Sequence, residues 1–150
     1  MDKITSNDSL KALVGKILQE RKSIQSVFFV GCGASRSDLY PAYYFLNNNA
    51  QKLRASIHTA EEFNLSMPRA VNEHAVVICC SLGGSTPETA KSTKLAKEKG
   101  AYVVSFTHTE GSAITEHADE VIIFDWVNNG YASKMDKMIK VPYLATEILQ

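Results

Sequence analysis

Four apolar runs constrain this chain more than any other feature: "SVFFVG" (26–31), "AVVICC" (75–80), "AYVVSFTH" (101–108) and "EVIIFD" (120–125). None alternates apolar with polar residues, so each reads as a strand buried on both faces. A fifth, "LRASIHT" (53–59), alternates and reads as a more exposed strand. Helical patterns fall between them, over 35–46, 60–66, 87–99 and 112–119, with Gly100 as a helix stop. Pro41 interrupts the first of these, since a proline removes one helical hydrogen bond. Residues 1–24 form an N-terminal segment in which Leu10, Leu13, Val14, Ile17 and Leu18 mark a helix over 9–24, and a last helical pattern covers 134–150. Strands alternating with helices predict an α/β fold with a five-stranded parallel sheet between two helical layers. The flavodoxin-like doubly wound order 2-1-3-4-5 fits this pattern.

A chain of 150 residues fits one domain. Its 16 basic and 16 acidic residues cancel, which argues against a nucleic-acid or anionic-membrane surface. Lys91, Lys94 and Lys97 share a helical face and read as solvated. No secretory h-region opens the chain, and no apolar run is long enough to span a bilayer. Cys32, Cys79 and Cys80 show no metal-ligand spacing and read as reduced thiols of a cytoplasmic protein. His74, His108 and His117 share no spacing either, so no metal is expected. The helical pattern "VPYLATEILQ" runs to the last residue without a stop signal, which suggests one domain of something longer.

In the expected topology, ligands bind where the strand order reverses, between "VFFV" and "AVVICC". Small polar loops follow both strands there: "GCGASRS" (31–37) and "SLGGSTPE" (81–88). The first reads G-x-G-x-x-R, which lacks the third glycine of a dinucleotide fingerprint, and no acidic residue ends the next strand. No Walker A lysine follows either loop. No cofactor is expected.

The second loop admits two readings. Ser85-Thr86-Pro87-Glu88 fits an S-x-x-E capping box. Alternatively, the amides around Gly83 and Gly84, the next helix's N-terminus and the hydroxyls of Ser81, Ser85 and Thr86 form an anion cradle. A cap accounts for Ser85 and Glu88 and leaves Ser81 and the double glycine unexplained.

The residues "FFVGCGASR" and, some fifty positions later, "ICCSLGGSTPET" resemble the sugar isomerase (SIS) domain family. Its usual pattern is one strand ending in G-x-G-x-S and another ending in S-x-S-G-x-T. "TAEEF" and "GSAITEHAD" are similar to the family's short helices, and the similarity spans about 22–150. "YPAYYFL", "NEHAVVICCS" and "ATEILQ" resemble most closely the first SIS domain of fructosamine-6-phosphate deglycases, such as the fructoselysine-6-phosphate enzymes. Gly83 departs from the pattern where a second serine is usual.

The resemblance implies that Gly33 and Ser35 contact the sugar or its phosphate. It implies that Ser81, Gly83, Gly84, Ser85 and Thr86 hold the phosphate and that Ser112 touches the sugar. It implies a homodimer, and a catalytic Glu and His carried by a second SIS domain, so that these residues are the binding half of a deglycase or isomerase. Two alternatives stand beside it: a regulatory module that senses a sugar phosphate, and a self-sufficient aldose–ketose isomerase. The latter needs an acid/base pair, for which His58 and Glu62 are the candidates. Against this, Glu61 and Glu62 also suit a first helical turn through the dipole, and His58 suits a strand-end histidine bonded to backbone. Cys32 lies at a helix start but has no base beside it.

Overall fold

The computed structural model describes residues 7–124, 145–146 and 148–149. In chain order they form α1 (Asn7–Glu20), β1 (Ser26–Gly31), α2 (Ala34–Asn49), β2 (Arg54–Thr59), α3 (Ala60–Leu65), β3 (Ala75–Cys80), α4 (Pro87–Glu98), β4 (Tyr102–Thr107), a 3₁₀ turn (Ala113–Thr115) and β5 (Glu120–Ile123). The expected helix over 112–119 is therefore a single 3₁₀ turn. Ala145, Thr146, Ile148 and Leu149 are helical. The remainder of the helix expected over 134–150, together with Trp126, Asn128, Asn129 and Tyr131, lies outside the described residues.

The five strands are all parallel in the order β2-β1-β3-β4-β5, as the apolar runs imply. Side chains alternate between the two faces, and each face has its own core. Val27, Phe29, Val76, Ile78 and Cys80 meet α1 and α2 on one side. Phe28, Val30, Val77, Cys79 and Val103 meet α3 and α4 on the other. The neighbouring Cys79 and Cys80 thus belong to opposite cores, and burial raises the Cys79 thiol pKa far above its usual range.

α2 runs three residues past its expected end, with Pro41 inside it. Its buried face of Leu39, Ala42 and Leu46 carries the helix through the proline. In register, Gly31 lies opposite both Thr59 and Cys80, so β1, β2 and β3 end at one level. The loops that follow share one rim.

Candidate functional site

The strand order reverses between β1 and β3 at this rim, which is where open α/β sheets bind ligands. Its centre is the 81–86 loop. The Ser81 amide donates to the Phe106 carbonyl at 3.1 Å, extending the β3–β4 ladder by one rung. That contact buries Ser81 and turns its hydroxyl back into the loop. Its Oγ accepts from the Gly84 amide at 3.2 Å and lies 3.1 Å from Thr86 Oγ1.

A second set of bonds fixes the loop from the β4 side. Leu82 offers its carbonyl to the His108 amide at 3.0 Å and to Thr107 Oγ1 at 3.1 Å. The Gly84 carbonyl accepts from the Ile114 amide at 3.0 Å. Gly84 adopts φ 70°, and a Cβ there would fall 1.9 Å from Ser112 Oγ and 2.9 Å from Thr107 Oγ1. Only glycine fits this position. Gly83 is exposed, and a Cβ there would meet only Ser85 Oγ at 3.7 Å. The position where the family pattern has serine can therefore take a side chain without strain.

α4 starts differently from the capping-box reading. Its N-cap is Thr86, with Pro87 in the first turn, and no side chain caps it. The Thr86 hydroxyl is turned to Ser81 instead of to the helix amides, so the Ser85–Glu88 box does not form. A 12-residue helix thus directs uncapped first-turn amides toward the rim. Its dipole favours an anion there by about 0.3–1 kcal/mol.

The 31–36 loop forms the facing wall. A Cβ on Gly31 would come within 2.9 Å of the Arg36 backbone nitrogen, so this glycine lets α2 start directly on the end of β1. Gly33 is the N-cap of α2, at φ 53°, again without a side-chain cap. Ser35 stands half-buried in the first turn, its amide bonded to the Cys32 carbonyl at 3.1 Å. Cys32 Sγ lies 3.6 Å from Thr89 Oγ1 of α4 and 3.9 Å from Glu61 Oε2 of α3. These contacts join the three helix starts around the rim.

The eight binding candidates therefore lie on adjoining loops in different settings. Ser81, Gly84 and Thr86 form one hydrogen-bonded unit. Gly83 and Ser85 stand exposed on its outer lip. Ser112 packs behind Gly84, and its hydroxyl proton is committed to the Thr109 carbonyl at 2.7 Å. Sequence reasoning read Gly31 only as part of the G-x-G pattern and overlooked Thr107. A hydroxyl at the end of the buried run "YVVSFT" was the available signal for Thr107.

The acid/base candidates lie one strand away. Glu62 closes a reciprocal capping box with Thr59. The Thr59 amide donates to Glu62 Oε2, and the Glu62 amide donates to Thr59 Oγ1, each at 3.2 Å. These bonds lower the carboxyl pKa, and the charge of Arg36 adds to the effect. His58 stands with its Nε2 3.0 Å from Ser56 Oγ and forms a three-ring cluster with Phe28 and Phe63. Burial lowers its pKa against the opposing pull of Glu62.

Among the described residues no group of three His, Cys, Asp or Glu can hold a metal ion. No described helix is long and apolar enough to cross a membrane. The 81–86 loop offers amides, hydroxyls and a helix dipole, which are groups suited to gripping an anion. It contains no general base.

Comparison with known proteins bears on what that anion is. A family model described as SIS domain matches residues 21–132. The chain is 34% identical to the fructosamine deglycase FrlB of Bacillus subtilis over 111 residues, 74% of this chain and 34% of that protein. It is 28% identical to a glutamine–fructose-6-phosphate aminotransferase (isomerizing) of Caldanaerobacter subterraneus over 131 residues, 87% of this chain and 21% of that protein. Among solved structures, a Salmonella typhimurium LT2 protein provisionally described as a phosphosugar isomerase superposes with TM-score 0.90 at 30% identity. That match covers 99% of this chain and 45% of the other. The chain thus spans between a fifth and under a half of the length of these relatives.

Proposed function

The chain belongs to the SIS domain family, and from that premise we propose that the 81–86 loop seats the phosphate of a sugar phosphate within a deglycase- or isomerase-type protein. One observation carries the reading: Ser81, Gly84 and Thr86 are pre-organised by mutual hydrogen bonds directly ahead of the uncapped N-terminus of α4. Such a seat binds a phosphate dianion through dipoles and hydroxyls, without a lysine. In this reading Gly33 and Ser35, on the facing loop, contact the sugar. Ser112 contributes as the buttress behind Gly84 and as an acceptor, since its proton is already given to Thr109.

The substrate class follows from the relatives named above, which act on fructosamines and on fructose 6-phosphate. Of these the fructosamine 6-phosphates are the proposed ligands. In this reading the chain binds and orients, and the acid/base residues come from a second SIS segment. The capping box of Glu62 supports that division, because it holds the carboxylate in a helix-start role and lowers its basicity. Association into a homodimer belongs to the same proposal. The exposed Tyr40 and Tyr44 of α2 offer a surface for it, and sedimentation velocity reads the outcome.

Two measurements on the 150-residue chain test this division of labour. Isothermal titration with a fructosamine 6-phosphate is expected to show binding. An assay for released glucose 6-phosphate is expected to show no turnover. Turnover by this chain alone that disappears in Glu62→Ala would place the base here and overturn the proposal.

A further inference from the structure

β2 ends the sheet, so one side of its main chain has no strand partner among the described residues. Its two faces are also unequal. Ala55 and Ile57, with Leu53 just before the strand, pack against the α2 core. Arg54, Ser56 and His58 alternate with them and face the other way, and Lys52, in the bend before the strand, lines a cavity with Arg54. The Ser56–His58 bond and the contact of His58 with Phe28 fix that orientation.

Among the described residues α3 reaches this second face at its His58 end, through Phe63, and cavities follow the remainder. One of about 230 Å³ lies between Arg54, Ser56 and His58 on the strand, Phe28 on β1, and Pro68 and Ala70 opposite. The next, of about 330 Å³, shares Arg54 and Ala70 and reaches Lys52 and Gln25. Together they make a groove parallel to β2. None of its lining residues is acidic, although the chain carries as many acidic as basic residues.

We propose that this groove receives an extended acidic segment of a partner polypeptide, added along β2 with carboxylates opposite Lys52 and Arg54. Alternate side chains of an extended segment recur about every 6.6–7 Å, so successive carboxylates can meet Arg54 and the Lys52 that lines the same cavity. The open main-chain edge supplies hydrogen bonds, the two cations supply selectivity, and Pro68 and Ala70 supply an apolar flank. A nucleic acid fits the groove less well. Base stacking needs an accessible ring face, and Phe28 is 4% exposed. The surface is independent of the 81–86 cradle, so its test does not depend on sugar-phosphate binding.

Fluorescence anisotropy with a short labelled peptide of alternating Glu and Val tests the proposal. The wild-type chain is expected to bind it at low salt, to bind less as salt rises, and to ignore the Lys–Val counterpart. Lys52→Glu with Arg54→Glu is expected to weaken binding by about tenfold or more. Lys91→Glu with Lys94→Glu on α4 is expected to leave it unchanged. In wild type, amide shift changes on peptide addition are expected to centre on residues 52–58, a readout that needs no variant. The proposal is overturned by no binding, by equal loss in the two charge-reversed pairs, by shifts centred elsewhere, or by tighter competing binding of single-stranded DNA.

Discussion

Gly84 packs so tightly on Ser112 that a Cβ at position 84 would lie 1.9 Å from the serine hydroxyl oxygen. The contact ties the 81–86 loop to the loop after β4, and with the Ile114–Gly84 hydrogen bond it holds the cradle before any ligand arrives. Pre-organisation of this kind lowers the ordering cost of binding.

Gly84→Ala is therefore expected to be costly. A left-handed backbone angle and a steric clash combine to about 2–4 kcal/mol of lost stability. Gly83→Ala, one residue earlier, has neither problem and is expected to stay within about 0.5 kcal/mol of wild type. Urea unfolding of the two variants checks the contrast.

The capping box of α3 predicts a pH signature. Hydrogen bonds from Thr59 place the folded pKa of Glu62 below its ordinary 4.5. Its contribution is fully present above that value and is lost as pH falls through the lower, folded pKa. Glu62→Gln is expected to flatten the acid limb of the stability curve below about pH 4.5, leaving the fall from other carboxylates. Thr59→Ala removes the cap itself, at a cost of about 1 kcal/mol at neutral pH. Thermal melts across pH read both effects.

His58 carries a second signature. Burial against Phe28 and Phe63 lowers its pKa from 6.5 and outweighs the nearby Glu62 carboxylate, and the charge of Arg36 acts in the same direction as burial. The unfolded chain takes the proton first on acidification. The stability that His58 contributes is therefore present above pH 6.5 and lost as pH falls through the folded value. An NMR titration of the imidazole is expected to show a midpoint below 6.5. A midpoint above it would mean that Glu62, not burial, dominates.

The sheet was legible because parallel strands covered on both faces must be apolar throughout, and "AVVICC" or "YVVSFT" have few other uses. The rim position of both Gly/Ser loops followed from the same topology. What local pattern misjudged was the start of α4. Ser85 and Glu88 satisfy the capping-box spacing, yet Thr86 is the cap residue and gives its hydroxyl to Ser81, a contact with the end of β3 that helix spacing does not encode. The box forms instead at Thr59–Glu62, where T-x-x-E is readable although Glu62 reads there as a dipole-favoured charge or an acid/base candidate. The demand for glycine at position 84 arises from Ser112 and Thr107, both more than twenty residues away, so no window around "LGGST" could reveal it.

The central claim is that Ser81 and Thr86 grip a phosphate, and calorimetric titration of the chain with fructose 6-phosphate tests it most directly. Thr86 makes no cap bond to α4 and one side-chain bond, to Ser81, so Thr86→Ala should cost about 0.5–1.5 kcal/mol and leave the chain folded. The account predicts binding by wild type, weakened about tenfold or more in Thr86→Ala and in Ser81→Ala by loss of hydrogen bonds to a charged group. Equal affinity in all three proteins, or no binding by wild type, would contradict it.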